Sequence, residues 1–151
     1  MRKTAAKPRQ TLPLLPCTCA NLRRAARAVT RLFNGELQHD GVEITQFTLL
    51  MALQQTGEIR QGELGKLLAL DSTSLTRMLQ PLKKRGWVRV KEGEDRRLRM
   101  FSLTPAGRAR YQQALPHWKR AQDRVQKALG EKAMGRLTGS LMDVTRASLQ
   151  E

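Results

Sequence analysis

A chain of 151 residues with 40% hydrophobic side chains is long enough for one compact domain with helical extensions, and too apolar for wholesale disorder. Aromatic residues make up only 4%, so the core must rest on Leu, Val, Ala and Met, which suits helices better than a β-sandwich. Lys and Arg number 28 against 13 Asp and Glu, a formal charge of +15; such a domain repels itself unless it meets a polyanion, and a merely solubilising surface is the weaker account.

Residues Met1 to Pro16 carry Arg2, Lys3, Lys7 and Arg9 and no acid. A charged start followed by Leu12-Pro-Leu-Leu-Pro-Cys17 hints at a secretion signal. Its apolar stretch is too short, Pro13 and Pro16 break it, and no small-residue cleavage site follows. No run is long enough to span a bilayer, and no single helix joins a dense basic face to a bulky apolar one. Residues 1–16 therefore read as a flexible basic tail on a cytoplasmic protein. Two cysteines two positions apart make no disulfide framework, which agrees.

After the tail, Cys19, Leu22, Ala26, Val29 and Phe33 recur three and four apart, the stripe of a packing helix that fades near Gln38–Gly41. Thr45 can cap a second helix carrying Phe47, Leu50 and Leu53, with Gly57 as its stop. A short third helix spans about 61–69, with Leu64, Leu67 and Leu68 inward. Asp71 or Ser72 then caps a fourth helix that turns Leu75, Met78, Leu79 and Leu82 to one side. Lys83, Lys84 and Arg85 meet the negative end of its dipole before Gly86, and Pro81 is expected to bend it.

Beyond Gly86 the period changes. Residues 87–92 and 98–103 read as two strands joined by a hairpin tip at 93–97. Thr104-Pro105 starts a long helix containing Tyr111, Leu115, Trp118, Val125 and Leu129; Pro116 should kink it and Gly130 end it. The last helix holds Met134, Leu137, Leu141 and Val144 on one stripe.

Two short helices around a tight turn form a helix-turn-helix arrangement. With the apolar stripe of the second inward, Thr73, Arg77, Gln80 and Lys84 line up along its outer face. Small hydroxyls at its start allow close approach to a DNA groove, and Arg77 can donate a fork to guanine. Any exposed helix has a polar outer face, so this alone decides nothing. The hairpin adds Arg96 and Arg97 at its tip beside Arg89, Lys91 and Arg99, a cluster of cations that suits the narrow, negative minor groove. Asp95 is either a wing support holding one of those arginines or a simple turn former.

Taken in order, Glu63-Leu64, Leu75-Thr-Arg-Met-Leu79, Lys84-Arg-Gly-Trp-Val88, Asp95-Arg-Arg97 and Leu103-Thr-Pro-Ala-Gly107 resemble the MarR family of winged helix-turn-helix regulators. The resemblance implies a mainly α fold with a small β-hairpin wing: a winged-helix lobe at about 45–107, and dimerisation helices at 17–40 and 108–151. It implies a homodimer on an inverted-repeat operator in double-stranded DNA, with the fourth helix in the major groove and the wing in the minor groove. Carried over, the recognition positions are Thr73, Ser74, Thr76 and Arg77, and the wing's aspartate and arginine fall on Asp95 and Arg97. The segment from Gly86 to Asp95 is one residue shorter than the commonest family form and lacks its proline, which leaves open whether Arg96 or Arg97 enters the groove.

The function expected is a sequence-specific repressor that answers to a small molecule or an oxidant; the alternative is a non-specific architectural DNA-binding protein. An effector pocket between lobe and dimerisation helices could be lined by Leu22, Phe33, Phe47, Met51 and Trp118, each equally at home in a core. Cys17 and Cys19, at a helix start near Arg23 and Arg24, are candidate redox residues, although Cys19 falls on the packing stripe. His39 and His117 are far apart in sequence and read as surface residues. No metal site, cofactor site or catalytic pairing is expected, and the chain is not an enzyme by this reading.

Overall fold

The computed structural model describes residues 12–92 and 98–149, which form six α-helices and a three-stranded antiparallel sheet. In chain order they are α1 (Thr18–Leu37), a single 3-10 turn (Gln38–Asp40), α2 (Ile44–Thr56), β1 (Ile59–Arg60), α3 (Gln61–Leu68), α4 (Ser72–Lys84), β2 (Val88–Glu92), β3 (Arg99–Leu103), α5 (Pro105–Leu129) and α6 (Glu131–Leu149). This is the expected class, mainly helical with a hairpin wing. Of the expected tail, residues 1–11 lie outside the described residues. Residues 12–16 form a non-helical arm tied to α1, where Asn21 Nδ2 donates to the Leu15 carbonyl (2.7 Å) and Arg24 to that of Pro13 (2.9 Å).

The core is built around α2. Phe47, Leu49, Leu50 and Leu53 are each no more than 1% exposed. Sequence patterning picks out only one side of this helix, but α1, α4, α5 and β3 all pack on it, so Leu49 and Ala52 are buried as well. The buried surface thus wraps well beyond one stripe, and the exposed remainder of the helix carries Thr45, Thr48, Gln54 and Gln55. Leu64 of α3, Leu75, Leu79 and Leu82 of α4, and Phe101 and Leu103 of β3 close the rest. Fully burying each of these side chains stabilises the lobe by about 1.5–3 kcal/mol.

Local signals set the ends of the elements, with some corrections. α2 starts at Ile44 rather than after Thr45: the Glu43 N–H donates to Gln46 Oε1 (3.2 Å), and the Ile44 N–H donates to Asn34 Oδ1 of α1 (2.7 Å). That second bond satisfies an orphan donor of α2 and fastens α1 to the lobe. The strand β1 has no counterpart in the sequence reading. It is two residues long, too short to show alternation, and it exists because Ile59 pairs with Phe101 and Arg60 with Met100. Leu67, expected inward, is 55% exposed, whereas Leu64 is buried and Leu68 partly so. Pro81 and Pro116 each lie inside one continuous helix, α4 and α5.

The ends of the chain are packed differently. In α1 only Phe33 and Leu37 are buried, and in α6 no residue is. The stripe that predicts packing for α1 is therefore open through Ala26 and Val29, and that of α6 through Leu137, Leu141 and Val144. What holds α1 to α5 is its C-terminal end. Glu36 accepts from Arg124 (2.8 Å) and Arg120 (3.4 Å), and those hydrogen bonds hold its carboxyl below the usual range.

Candidate nucleic-acid interface

The helix-turn-helix is made by α3 and α4. Its turn needs a glycine inside α3: the Leu70 N–H donates to the Gly65 carbonyl (2.8 Å), and a Cβ on Gly65 would lie 2.9 Å from the Leu70 oxygen. Ala69 takes the left-handed conformation (φ 52°) that lets the chain reverse there, a strained choice for a residue with a Cβ.

Asp71 is the cap of α4. Its carboxylate accepts from the Ser74 N–H (2.8 Å) and from Ser74 Oγ (2.8 Å), and these two bonds lower its pKa. Ser74 is thus committed to the cap and is only half exposed. Thr76 Oγ1 donates to the Ser72 carbonyl (2.7 Å) and accepts from Gln61 Nε2 of α3 (3.3 Å), which cross-links the two helices of the motif. With Leu75, Leu79 and Leu82 buried and Met78 partly so, Thr73, Arg77, Gln80 and Lys84 all stand exposed on the opposite side. The row drawn from spacing exists as a surface.

The wing's frame is β2 paired with β3 in the register Val88–Leu103, Val90–Phe101 and Glu92–Arg99. Alternation turns Val88 and Val90 inward and Arg89 and Lys91 outward. Arg89 Nε donates to Ser102 Oγ (2.9 Å), so its charged group is held against β3. The tip residues Asp95, Arg96 and Arg97 lie outside the described residues.

Behind this surface, a junction that sequence reasoning missed joins the wing to α5 and α1. Thr104 Oγ1 accepts from the Gly107 N–H (3.0 Å) and donates to the Gly86 carbonyl (2.6 Å), while its own N–H donates to the Trp87 carbonyl (3.0 Å). A Cβ on Gly107 would fall 2.0 Å from that Trp87 oxygen, so no larger residue fits. The guanidinium carbons of Arg85 and Arg110 sit 4.8 and 5.2 Å from the Trp87 ring centre. Each also donates to the 3-10 turn and its end, Arg85 to the Gly41 carbonyl (2.6 Å) and Arg110 to that of Asp40 (2.8 Å). The sequence signals were the Lys84-Arg-Gly-Trp-Val88 and Thr104-Pro105-Ala-Gly107 runs, which sequence alone does not bring together.

His117 is a further correction. It is largely covered rather than a free surface residue: its Nδ1 lies 2.6 Å from Asp40 Oδ2, with both side chains mostly buried. His39 is beside it, the two ring centres 6.5 Å apart. Among the described residues no three His, Cys, Asp or Glu side chains are gathered as a metal site, and no helix is long and apolar enough to cross a membrane. Of the suggested pocket residues, Phe47 stacks between Tyr111 (5.3 Å) and Trp118 (5.8 Å) with Phe33 buried and Met51 partly buried, while Leu22 stands in the open half of α1. Cys17 is the extended residue immediately before α1, Cys19 lies in its first turn, and both are exposed, although the stripe placed Cys19 in a packed face.

A helix-turn-helix followed by a hairpin wing, flanked by long helices, defines a winged-helix DNA-binding module. The MarR family model matches residues 42–98, which contain α2, the two motif helices and most of the wing. The chain is 37% identical over 94 residues to the multiple antibiotic resistance protein MarR of Salmonella typhimurium, a match covering 62% of this chain and 64% of that one. Its fold superposes on a Mycobacterium tuberculosis transcriptional regulator, MosR, crystallised with DNA, with a TM-score of 0.81 and 31% identity over 87% of this chain and 96% of that one. A cysteine variant of Escherichia coli MarR complexed with operator DNA gives a TM-score of 0.75 and 26% identity, over 83% and 91% of the two chains. The chain belongs to the MarR family of transcriptional regulators, a family of DNA-binding proteins rather than enzymes.

Proposed function

We propose that this protein is a dimeric, sequence-specific repressor that binds an inverted-repeat operator in double-stranded DNA from the cytoplasm. The observation that carries the reading is the exposed row of Thr73, Arg77, Gln80 and Lys84 on a capped helix whose other side packs into the core through Leu75, Leu79 and Leu82. Such a helix is rigid enough to present base-reading groups in a fixed register. Ser74 and Thr76 serve as supports rather than as readers, because both hydroxyls are already engaged. Asp95, Arg96 and Arg97 act at the wing tip. The MarR and MosR relatives crystallised with operator DNA or DNA support the partner.

Selection of bound sites from random duplexes, followed by affinity measurement at fixed salt, tests this. Arg77→Ala should lose on the order of 1–3 kcal/mol on the selected site and relax one base position. An equal, strongly salt-dependent affinity for selected and random DNA would instead favour the architectural reading that the charge of +15 allows.

Dimerisation is supported by the open apolar stripes of α1 and α6, which one protomer leaves uncovered. Release from DNA by a small molecule or an oxidant completes the proposal. The oxidant arm rests on Cys17 and Cys19: Cys17 lies outside the regular helix, so the pair need not point to opposite sides of one. Operator binding by Cys17→Ser and Cys19→Ser, with and without mild peroxide, decides it; both thiols remaining unmodified by mass while the wild type stays bound would leave only the small-molecule route.

A further inference from the structure

The charge of this chain is not spread evenly. Residues 1–35 hold Arg2, Lys3, Lys7, Arg9, Arg23, Arg24, Arg27 and Arg31 and no acid; Glu36 is the first. Four of these cations stand on α1. Arg23, Arg27 and Arg31, spaced four apart, are exposed and line up along one side of the helix, while Phe33 and Leu37 face the core. Their exposed neighbours on that side include the small Ala28 and Gly35, with open space where a Gly35 Cβ would lie. The arginines are the groups that project.

Nothing within the protomer neutralises this row. Among the described residues no carboxylate pairs with Arg23, Arg27 or Arg31, and Glu36, the one acid of α1, is held by Arg120 and Arg124. Arg24 adds a fourth charge while donating to the Pro13 carbonyl and to Asn21 Oδ1. Like charges four apart destabilise a helix, and α1 has two such pairs in succession. A surface made for solubility mixes signs. That is the pattern of α6, where Glu131 and Asp143 stand among Lys132, Arg136 and Arg146, with Arg146 near Asp143 (3.5 Å). A row of one sign is relieved by a polyanion. From Arg23 to Arg31 it is about 12 Å long, a length over which one DNA strand presents about three phosphates. The apolar stripe of α1 before Phe33, built on Cys19, Leu22, Ala26 and Val29, is too slight a face to anchor the helix in lipid.

The row also lies apart from the DNA-reading face. Nothing in α1 before Phe33 is buried, so the helix leaves the lobe at its C-terminal end and the arginines extend away from it. DNA has a persistence length of about 50 nm, and a duplex lying along α4 does not fold back onto α1.

We propose that the arginine row of α1 is a second, sequence-independent DNA-binding surface, which takes the phosphate backbone of a duplex other than the one α4 reads. This goes beyond the operator reading: a molecule seated on one DNA segment holds a second segment against it.

The test compares the full chain with the triple variant Arg23→Gln, Arg27→Gln, Arg31→Gln. Protein is seated on an immobilised duplex at low salt, unbound protein is washed away, and a labelled random-sequence duplex is offered. The wild type should capture it, with a steep loss between about 50 and 200 mM salt, and the triple variant should capture at least about tenfold less. Affinity for a short operator duplex and sedimentation should be the same for both. Replacing the three arginines by lysine should preserve capture, because a phosphate needs the charge and not the fork; loss of capture there would overturn the proposal. Equal capture by wild type and glutamine variant, or none by the wild type, overturns it and leaves operator binding untouched. A glutamine variant that sediments as a smaller species than the wild type assigns the row to a contact between copies and overturns it as well. So does a row-dependent affinity seen only when the operator duplex is lengthened, or only on vesicles of equal parts phosphatidylcholine and phosphatidylserine. If no duplex is preferred over random sequence yet row-dependent capture persists, the operator reading fails and this one stands.

Discussion

The winged lobe and the terminal helices obey the same apolar periodicity but end in opposite states. In the lobe, from α2 through β3, the stripes meet partners within one chain, and Phe47, Leu64, Leu75 and Leu82 have no exposed surface. In α6 and the first four turns of α1 the stripes are as regular, yet no residue is buried. Periodicity shows that a face is meant to be covered; it does not say by which chain. The lobe is a finished folding unit, and the terminal helices are half of one.

The contrast can be broken most severely at its centre. Phe47→Ala removes the ring that lies between Tyr111 and Trp118 and should cost about 3–5 kcal/mol. Denaturant unfolding of that variant should show the loss at any protein concentration. Leu141→Ala, on the open face of α6, should instead matter only where a second chain covers it. A loss as large for Leu141→Ala in dilute protein would erase the distinction between the two regions.

Next in size comes the junction. Gly107→Ala places a methyl group against the Trp87 carbonyl with no room for it. We expect destabilisation of about 1–3 kcal/mol, together with looser DNA binding, because the wing and α5 meet there. A smaller effect is expected at Ala69→Gly, which relieves the left-handed backbone in the turn and should stabilise the lobe by about 0.5–1 kcal/mol in thermal unfolding. Destabilisation there would mean that the Ala69 methyl packs.

The smallest effect is one of pH. The Ser74 hydrogen bonds hold the Asp71 carboxyl below its ordinary range. A depressed pKa means a stabilisation that is complete above the unfolded-state value and disappears as pH falls through the folded one. Asp71→Ala should therefore be less stable than the wild type near neutral pH, and the two should converge in acid. A gap that persists unchanged at low pH would assign it to something other than the ionised cap.

The amino-acid order alone determined the helix-turn-helix, its outward row of Thr73, Arg77, Gln80 and Lys84, the hairpin and the starts of α4 and α5, since capping and side-chain periodicity act within a few residues. It was least reliable where a neighbour distant in the chain decides the outcome. Leu67 follows the stripe but meets no wall. β1 exists because β3, forty residues later, lies open to it. His117 reads as a surface residue until the fold brings Asp40 beside it, and Gly107 reads as a family signature until the Trp87 carbonyl shows why no Cβ fits. Local bonding chose the elements; close packing between remote segments, which no short window of sequence contains, chose which of their faces would be covered.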